Sequence, residues 1–230
     1  MIINESVSSL PRLPESLREA VSIRQRSDLA LSDFHIHKNI GSGSLSSVKL
    51  VTLVQSLSKT PFALKLVSKS EVVRCRHLAH LQEERSLVGR LDFPFVVTFV
   101  RSFQTDAAVG LLFEFVNGGD LFSLLSAEEA LSESWARFYL AEILCVLRHL
   151  HSQRIVYRDL KPENVLLSTS GHVKVSDFGL AKDLSHARAT TLCGTPEYMA
   201  PELLVEGNRG HSFGVDYWAL GILAYELVTG

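Results

Sequence analysis

The chain has 230 residues, of which 46% are hydrophobic, and a formal net charge of −2. This composition allows a sizeable core in one or two domains, and it excludes the large basic field that nucleic acid or an anionic membrane would require. The first residues carry neither the basic segment nor the apolar run of a signal peptide, and we expect no membrane span.

The three cysteines, Cys75, Cys145 and Cys193, are widely separated and have no CxxC spacing. Their odd number and their separation argue against a disulfide framework and against a zinc site. Together with the absence of a leader sequence, they favour a reducing compartment, and we expect a cytoplasmic or nuclear protein.

Residues 1–33 are interpreted as an N-terminal extension. A short helix that starts at Pro14–Leu17 and ends near Ser27 is either part of a flexible tail or docked on the surface. From Phe34 onward, alternating and β-branched runs predict a small sheet with one long helix. The strands are predicted at 35–40, 48–54, 62–67, 95–103 and 109–115, and the helix at 71–90.

After residue 116 the pattern becomes helical. Trp135–His151 carries apolar residues at helical spacing, and Val215–Thr229 is apolar on nearly all faces, as in a buried helix. Short apolar runs lie between these helices at 155–156, 165–167 and 173–175. A sheet-rich part followed by a helix-rich part predicts two lobes with a cleft between them.

The glycine turn at 41–46 matches the pattern G-x-G-x-x-G, except that Ser46 occupies the third glycine position. A strand rather than a helix follows the turn, which is not typical of a dinucleotide-binding enzyme. The pattern is typical of a hairpin loop that lies over phosphates. If Ser46 had a positive φ, it would cost about 1 kcal/mol, and we would expect weaker nucleotide binding.

Lys65 lies inside an apolar strand, where an unpaired ammonium group is costly to bury. It is either an edge-strand lysine whose head group reaches water or a phosphate-holding lysine paired with a carboxylate. The predicted helix offers Glu84 as that carboxylate, although the adjacent Glu83 leaves the choice of partner open.

Polar residues of the segment 157–164 stand between two apolar runs. Asp159 can accept or orient a hydroxyl proton, and Asn164 supplies a hard oxygen suited to Mg²⁺. Lys161 supplies fixed positive charge for a transferring phosphoryl group. Asp177, which precedes Phe-Gly, provides the second predicted magnesium ligand.

A threonine pair at 190–191 lies in a loop after these motifs. Arg158 directly precedes the candidate base, and His80 lies on the predicted helix. Both could hold a phosphate placed on Thr191, which makes Thr191 a candidate phosphorylation site.

These motifs, in this order and at this spacing, resemble the protein-kinase signature set from about Phe34 to Gly230. Within the kinases the sequence is most similar to the AGC group of Ser/Thr kinases, and there to catalytic subunits of cyclic-AMP-dependent protein kinase. The residues that indicate this group are Tyr157, Phe93-Pro94-Phe95, the run 192–198 and the run 216–221.

The resemblance implies an α+β, bilobal fold within a kinase domain at 34–230. A small antiparallel β lobe with one long helix occupies 34–114, and a mainly helical large lobe, without its C-terminal helices, occupies 115–230. ATP and Mg²⁺ are the implied cofactors. The implied partners are protein substrates with basic residues near Ser or Thr, an upstream activating kinase and a regulatory subunit.

The resemblance also assigns roles to individual residues. Lys65 is implied to pair with Glu84, and Asp159 is the implied catalytic base, assisted by Lys161. The implied nucleotide contacts are Ile40, Gly41, Gly43, Val48, Ala63, Lys65, Phe113, Glu114, Val116, Asn164 and Asp177. Of these, Asn164 and Asp177 are the implied magnesium ligands. The implied phosphosite is Thr191, read by Arg158, His80 and Lys182, and the implied substrate-binding residues are Asp120, Glu163 and Glu226.

Relatives of this family continue with further helices beyond the position of Gly230. We therefore expect Glu202 to lack the arginine that pairs with it in relatives. We also expect exposed apolar side chains at Trp218, Leu220, Ile222, Leu223 and Leu227. This favours an alternative to an active kinase, namely a truncated, non-catalytic fragment that binds nucleotide or partners.

Overall fold

The computed structural model describes residues 15–26, 28–185, 188–204 and 210–230. The described residues fall into two compact units. The first unit comprises the described residues of Met1–Val72 and Phe99–Phe115. The second unit comprises the described residues of Val73–Thr98 and Val116–Gly230.

The first unit is built on a five-stranded antiparallel sheet with the strand order β1-β2-β3-β5-β4. Its strands are β1 Phe34–Ser42, β2 Ser46–Leu53, β3 Pro61–Ser68, β4 Phe99–Gln104 and β5 Ala108–Glu114. The strand predicted at 95–103 is shorter than expected, since β4 begins at Phe99. Before that residue, Val96 forms only an isolated bridge, with Val175 of the second unit.

A helix, α1 Glu15–Gln25, packs on this sheet. Ile23 is fully buried and belongs to the same apolar cluster as Phe62 and Leu64 of β3. Arg24 Nη2 donates a hydrogen bond to the main-chain oxygen of Phe99 at 2.7 Å. The helix is thus docked on the sheet through its apolar side, and Ser27, its expected end, lies outside the described residues.

The single helix predicted at 71–90 is wrong. The structure has two helices, α2 Lys69–Arg74 and α3 Leu78–Val88. Arg76, between them, has a φ of 57°, a left-handed conformation that interrupts a right-handed helix. Arginine favours helices by intrinsic propensity, so the sequence carried no signal for this break.

The second unit is mainly helical. Besides α3, its helices are α4 Leu121–Glu128, α5 Glu133–Ser152, α6 Pro201–Leu204 and α7 Gly214–Thr229. Its short strands are β6 Ile155–Val156, β7 Val165–Leu167, β8 Val173–Val175 and β9 Lys182–Asp183. These strands form two antiparallel pairs, β6 with β9 and β7 with β8, which hold the loops that carry the polar motifs.

Helix α7 packs against α5, and this contact decides which of its apolar side chains are exposed. Leu223 and Leu227 are fully buried, so their expected exposure is wrong. Trp218 is 45% exposed, and Leu220 and Ile222 are half-buried. Among the helices of the described residues, none combines the length and the apolar character needed to cross a membrane.

Candidate active site

A hydrogen-bonded network is centred on Asp159, between β6 and β7. Its Oδ1 accepts a hydrogen bond from Thr195 Oγ1 at 3.0 Å, and its Oδ2 accepts one from Asn164 Nδ2 at 2.9 Å. Lys161 Nζ lies 3.4 Å from the same Oδ2 and donates to Thr195 Oγ1 at 2.9 Å. The structure therefore brings together three side chains that the sequence singled out, and it adds Thr195, which sequence reasoning missed.

The buried carboxylate of Asp216, on α7, holds the backbone that leads into this network. Its Oδ2 accepts from the Tyr157 N–H at 2.9 Å, and its Oδ1 accepts from the Arg158 N–H at 2.8 Å. His151 Nε2 lies 2.7 Å from Oδ2. Arg158 has a φ of 69°, which is costly for a residue with a side chain and persists only where the surroundings enforce it. Asp216, which is 1% exposed, holds this backbone conformation through its hydrogen bonds to the two N–H groups.

Tyr157 links the loop that carries Asp159 to the turn that carries Asp177. Its side chain is fully buried, and its hydroxyl donates to the main-chain oxygen of Ser176 at 2.5 Å. Its ring packs edge-to-face on Phe178 at a centroid distance of 5.3 Å. Burial, reinforced by the nearby Asp177 carboxylate, raises the pKa of the phenol well above its ordinary value, so the hydroxyl is a permanent donor.

Asn164 and Asp177 carry the oxygens predicted to hold magnesium. Asn164 Nδ2 donates to both the main-chain oxygen and the side chain of Asp159, so Oδ1 is the amide atom that could act as a ligand. Asp177 has a φ of 47°, and its Oδ1 accepts from the Gly179 N–H at 3.2 Å. Asn164 also accepts a main-chain bond from Ser176, which ties the two segments together.

One carboxylate and one amide oxygen fit Mg²⁺, which prefers hard oxygen ligands and keeps several positions for water and phosphate. In the part of the chain that the structure describes, no group of three or more His, Cys, Asp or Glu side chains could hold a metal ion. The predicted ligands Asn164 and Asp177 would leave positions on such an ion for phosphate oxygens and water.

The structure separates the roles of the two adjacent glutamates on α3. Glu83 Oε2 accepts from Lys182 Nζ at 2.8 Å, and its Oε1 accepts from the Asp183 N–H at 3.3 Å. Glu84 is 6% exposed, and its Oε2 would lie 3.7 Å from a β-carbon built on Gly179. Glu84 therefore faces the turn that carries Asp177, whereas Glu83 faces β9.

The sheet unit carries residues predicted to contact nucleotide. Lys65 pairs in register with Val48 on β2 and with Leu111 on β5, and Ala63 pairs with Phe113. Directly paired residues and residues two apart share one face of a sheet, so Val48, Ala63, Lys65 and Phe113 lie on one face, opposite the face that packs on α1. Other predicted contacts are Ile40, Gly41 and Gly43 in β1 and the turn, Glu114 at the end of β5, and Val116 just after it. The predicted ion pair between Lys65 and Glu84 stays a prediction.

The condition under which Ser46 would strain the glycine turn, a positive φ, is not met. Ser46 begins β2 and does not have a positive φ, while the Gly43 N–H closes the turn by donating to the Ser46 main-chain oxygen at 2.8 Å. A serine fits this extended position without backbone cost. The backbone reason for weakened nucleotide binding is therefore absent.

Thr191 is exposed, as a phosphorylation site requires. His80 is also exposed, and its ring contacts that of His77 edge-to-face at 5.1 Å. Lys182, the lysine expected to read a phosphate, is bonded to Glu83. The structure thus gives this lysine an anion from within the chain.

Two of the residues implied to bind substrate arginines lie around Tyr198. Glu226, on α7, accepts a hydrogen bond from the Tyr198 hydroxyl. Burial, this bond and the charge of Glu163 raise the pKa of the Tyr198 phenol above its ordinary range. Asp120 directly precedes α4, and its carboxylate caps the helix, because its Oδ1 accepts from the Ser123 N–H at 2.7 Å.

Arg158 has a buried histidine beside it. The Arg158 Nε donates to the Leu180 main-chain oxygen at 2.7 Å, and its Nη1 lies 3.5 Å from His211 Nε2. His211 is 2% exposed, and its Nδ1 is buried without a hydrogen-bond partner. Burial and the positive charge of Arg158 lower the pKa of His211, against a smaller opposite effect of Asp216 and Glu202.

This shift predicts a pH dependence of stability. In the unfolded chain His211 takes up a proton near pH 6.5, whereas in the folded chain it does so only at lower pH. The free energy of unfolding therefore falls as the pH drops through 6.5 toward the lower pKa of the folded chain. We expect the unfolding free energy in urea to decrease from about pH 7.5 to about pH 5.5 more steeply for the wild type than for His211→Gln. Equal slopes for the two proteins would contradict this account.

Comparison with known proteins adds independent information. The family model of the protein kinase domain matches residues 34–230. A Caenorhabditis briggsae protein named cAMP-dependent protein kinase, catalytic subunit-like, is 43% identical over 205 residues, which is 89% of this chain and 52% of that protein.

Two further relatives are similar to the same degree. The cAMP-dependent protein kinase catalytic subunit of Dictyostelium discoideum is 42% identical over 210 residues, covering 91% of this chain and 31% of that protein. The human cAMP-dependent protein kinase catalytic subunit PRKX is 42% identical over 201 residues, covering 87% and 55%. The chain thus spans about half the length, or less, of these curated relatives.

Proposed function

The chain belongs to the protein kinase domain family, and from this premise we propose that it transfers the γ-phosphate of ATP to Ser or Thr hydroxyls of proteins. The predicted α+β kinase fold and the resemblance to AGC-group Ser/Thr kinases are confirmed by the same matches. The observation that carries the proposal is the bonded network of Asp159, Lys161, Asn164 and Thr195.

Asp159 is the proposed catalytic base. Its carboxylate accepts the proton of the substrate hydroxyl while that oxygen forms a bond to the γ-phosphorus and the bond from the γ-phosphorus to the β–γ bridging oxygen breaks. Thr195 and Asn164 each donate to one of its oxygens, and these bonds fix the direction of the carboxylate. Lys161 adds positive charge beside the transferring group.

Asn164 Oδ1 and the Asp177 carboxylate are the proposed ligands of Mg²⁺. When bound, the ion neutralises charge on the phosphates. The chain's own contribution is to hold these two oxygens in place, through the bonds of Asn164 to Asp159 and of Asp177 to the Gly179 N–H.

The proposed nucleotide contacts follow the sheet register. Lys65 is proposed to hold the α- and β-phosphates and to pair with Glu84. Val48, Ala63 and Phe113 share the face of Lys65, which supports one common ligand for that face. The remaining proposed contacts are Ile40, Gly41, Gly43, Glu114 and Val116.

The protein substrates are proposed to carry basic residues near the target hydroxyl. The negative charges of Glu163 and Glu226 both raise the pKa of Tyr198, so the two carboxylates lie near the same side chain. Asp120 is the third proposed carboxylate. Thr191 is the proposed phosphosite, with an upstream kinase acting on it and Arg158, His80 and Lys182 reading it. By similarity to relatives named for cAMP dependence, a regulatory subunit is a further proposed partner.

The domain assignment is part of the same proposal. Residues 1–33 are an extension, and 34–230 form a kinase domain with a small lobe at 34–114 and a large lobe at 115–230. The alternative of a non-catalytic binding protein is not favoured, because each proposed catalytic side chain is present.

The test is transfer of labelled γ-phosphate from Mg·ATP to a serine peptide flanked by arginines. We expect transfer by the purified chain, loss of transfer on chelation of Mg²⁺ by EDTA, and slower transfer to a matched peptide with alanines in place of the arginines. A folded chain that binds ATP without transferring phosphate would contradict the proposal and support the binding alternative.

A further inference from the structure

Helix α1 lies outside the residues that match the protein kinase family, yet it completes the apolar core of the first unit. The family model begins at residue 34. Three buried side chains from before that residue join the cluster that the strands of the sheet form: Ala20, Ile23 and Leu29. Ile23 is 0% exposed, as completely buried as Leu64 of β3 in the same cluster. The sheet unit thus takes part of its core from a segment outside the matched family domain.

Polar contacts tie α1 to the sheet at two separate places. In the connection between β2 and β3, Ser58 Oγ donates to Glu19 Oε2 at 2.5 Å. On β4, the main-chain oxygen of Phe99 accepts from Arg24 Nη2, and Arg101 donates in return to the main-chain oxygen of Arg24. Because the strand order is β1-β2-β3-β5-β4, β5 lies between β3 and the second attachment. The helix is therefore held on both sides of the strands on which it packs.

Strand β3 contributes alternate residues to the two faces of the sheet. Phe62 and Leu64 are buried in the cluster that includes α1. Ala63 and Lys65 lie on the opposite face, which Phe113 of β5 shares through its pairing with Ala63. Protein cores are close-packed, so removal of α1 would leave Phe62 and Leu64 without their packing partners and would let β3 shift. A shift of β3 moves Ala63 and Lys65, which are proposed to contact nucleotide.

We propose that Ile23 is a positioning residue which docks α1 on the sheet and thereby holds β3 in the conformation that binds ATP. The N-terminal extension then sets the affinity for nucleotide, because the docked state of α1 binds it more tightly than the undocked state. By linkage, bound nucleotide stabilises the docking of α1 in return. The coupling rests on the proposed function, since it needs a nucleotide on the face of Lys65, whereas the docking of α1 does not.

The coupling is tested with Ile23→Ala in the full chain, at a temperature where circular dichroism shows the variant to be folded. Truncation leaves a cavity under α1, and we expect it to lower the docked fraction to about one fifth. The KM for ATP should then rise about fivefold, while kcat at saturating ATP stays within about twofold, because excess nucleotide draws α1 back onto the sheet. The conservative change Ile23→Val should keep the KM for ATP within about twofold of the wild type.

Ile143→Ala is the matched control for a general loss of stability. It makes the same change at another isoleucine that is 0% exposed, on α5 of the second unit. We expect it to destabilise the chain but to leave the KM for ATP within about twofold of the wild type. A rise of this KM in Ile143→Ala equal to that in Ile23→Ala would overturn the positioning role, and so would the absence of a rise in Ile23→Ala.

A second measurement needs no variant, so it does not depend on whether Ile23→Ala folds. Hydrogen–deuterium exchange is followed in the wild-type chain with and without a non-hydrolysable ATP analogue and Mg²⁺, with binding checked by calorimetry. If nucleotide binds only the docked state, the analogue at ten times its Kd should slow amide exchange in α1 about tenfold. Unchanged exchange in α1 while the analogue is bound would overturn the coupling.

The outcomes separate this inference from the proposed function. A wild-type chain that binds the analogue with slower exchange in α1, but transfers no phosphate, would contradict the kinase function and support the coupling. A chain that binds no nucleotide would contradict both. Exchange in α1 without nucleotide decides the docking by itself, since it should be faster in Ile23→Ala than in Ile143→Ala. Equal exchange in the two variants would overturn the role of Ile23 in docking.

Discussion

Replacement of Asp159 by asparagine is expected to lower kcat for peptide phosphorylation by about 10²- to 10⁴-fold, the range that a general base contributes. An amide cannot take up the hydroxyl proton of the substrate. Its NH₂ group would also meet a donor, since both carboxylate oxygens of Asp159 now accept hydrogen bonds from Thr195 and Asn164. The loss should appear in initial rates with labelled Mg·ATP at saturating peptide.

The KM for ATP separates this loss from a loss of nucleotide binding. Asp159 is not among the proposed nucleotide contacts, so the KM for ATP should stay close to that of the wild type. Asp92→Asn is a matched control, because Asp92 is an exposed aspartate of the same unit outside the network. An Asp159→Asn enzyme with a kcat within a few-fold of the wild type would contradict the assignment of Asp159 as base.

The helices with a clear hydrophobic pattern were predictable from sequence. Helix α5, predicted at Trp135–His151, is found at Glu133–Ser152, and α7, predicted at Val215–Thr229, is found at Gly214–Thr229. Helix α5 has one apolar face, which produces a periodic signal, whereas α7 was recognisable as a long apolar run without such a period. The break at Arg76 between α2 and α3 was not predictable, because it depends on a backbone conformation that arginine does not favour intrinsically.

The site was predictable where chemistry needs a particular residue type. Asp159 and Asn164 were selected as candidate base and candidate metal ligand because these roles restrict the choice of side chain, and the structure places the two residues in contact. Thr195 and His211 were not recognisable, since a hydroxyl in a loop and a single histidine have many uses. Their roles arise from tertiary contacts, with Asp159 for one and Arg158 for the other, that no local spacing encodes.

Asp216→Asn is expected to destabilise the chain by about 3–5 kcal/mol, the cost of removing one partner from a buried charged network. The carboxylate is 1% exposed and accepts from the N–H groups of Tyr157 and Arg158 while it also contacts His151. An asparagine amide has one oxygen, so it can accept from only one of the two N–H groups. Its NH₂ group would then face the other N–H, which is also a donor. Urea unfolding should show this loss directly, and the melting temperature should fall by about 2–4 °C for each kcal/mol.

Tyr217→Phe provides the control for the surroundings of His151. It removes the hydroxyl that lies 3.3 Å from His151 Nδ1, on a side chain that is 45% exposed, and it should cost about 1 kcal/mol or less. An Asp216→Asn variant that is no less stable than Tyr217→Phe would show that the buried carboxylate does not hold the loop. Because Asp216 bonds to the backbone directly before Asp159, its loss should also lower kcat at temperatures where the variant is still folded. A drop in stability without a drop in kcat would mean that the left-handed backbone at Arg158 holds Asp159 in place without this carboxylate.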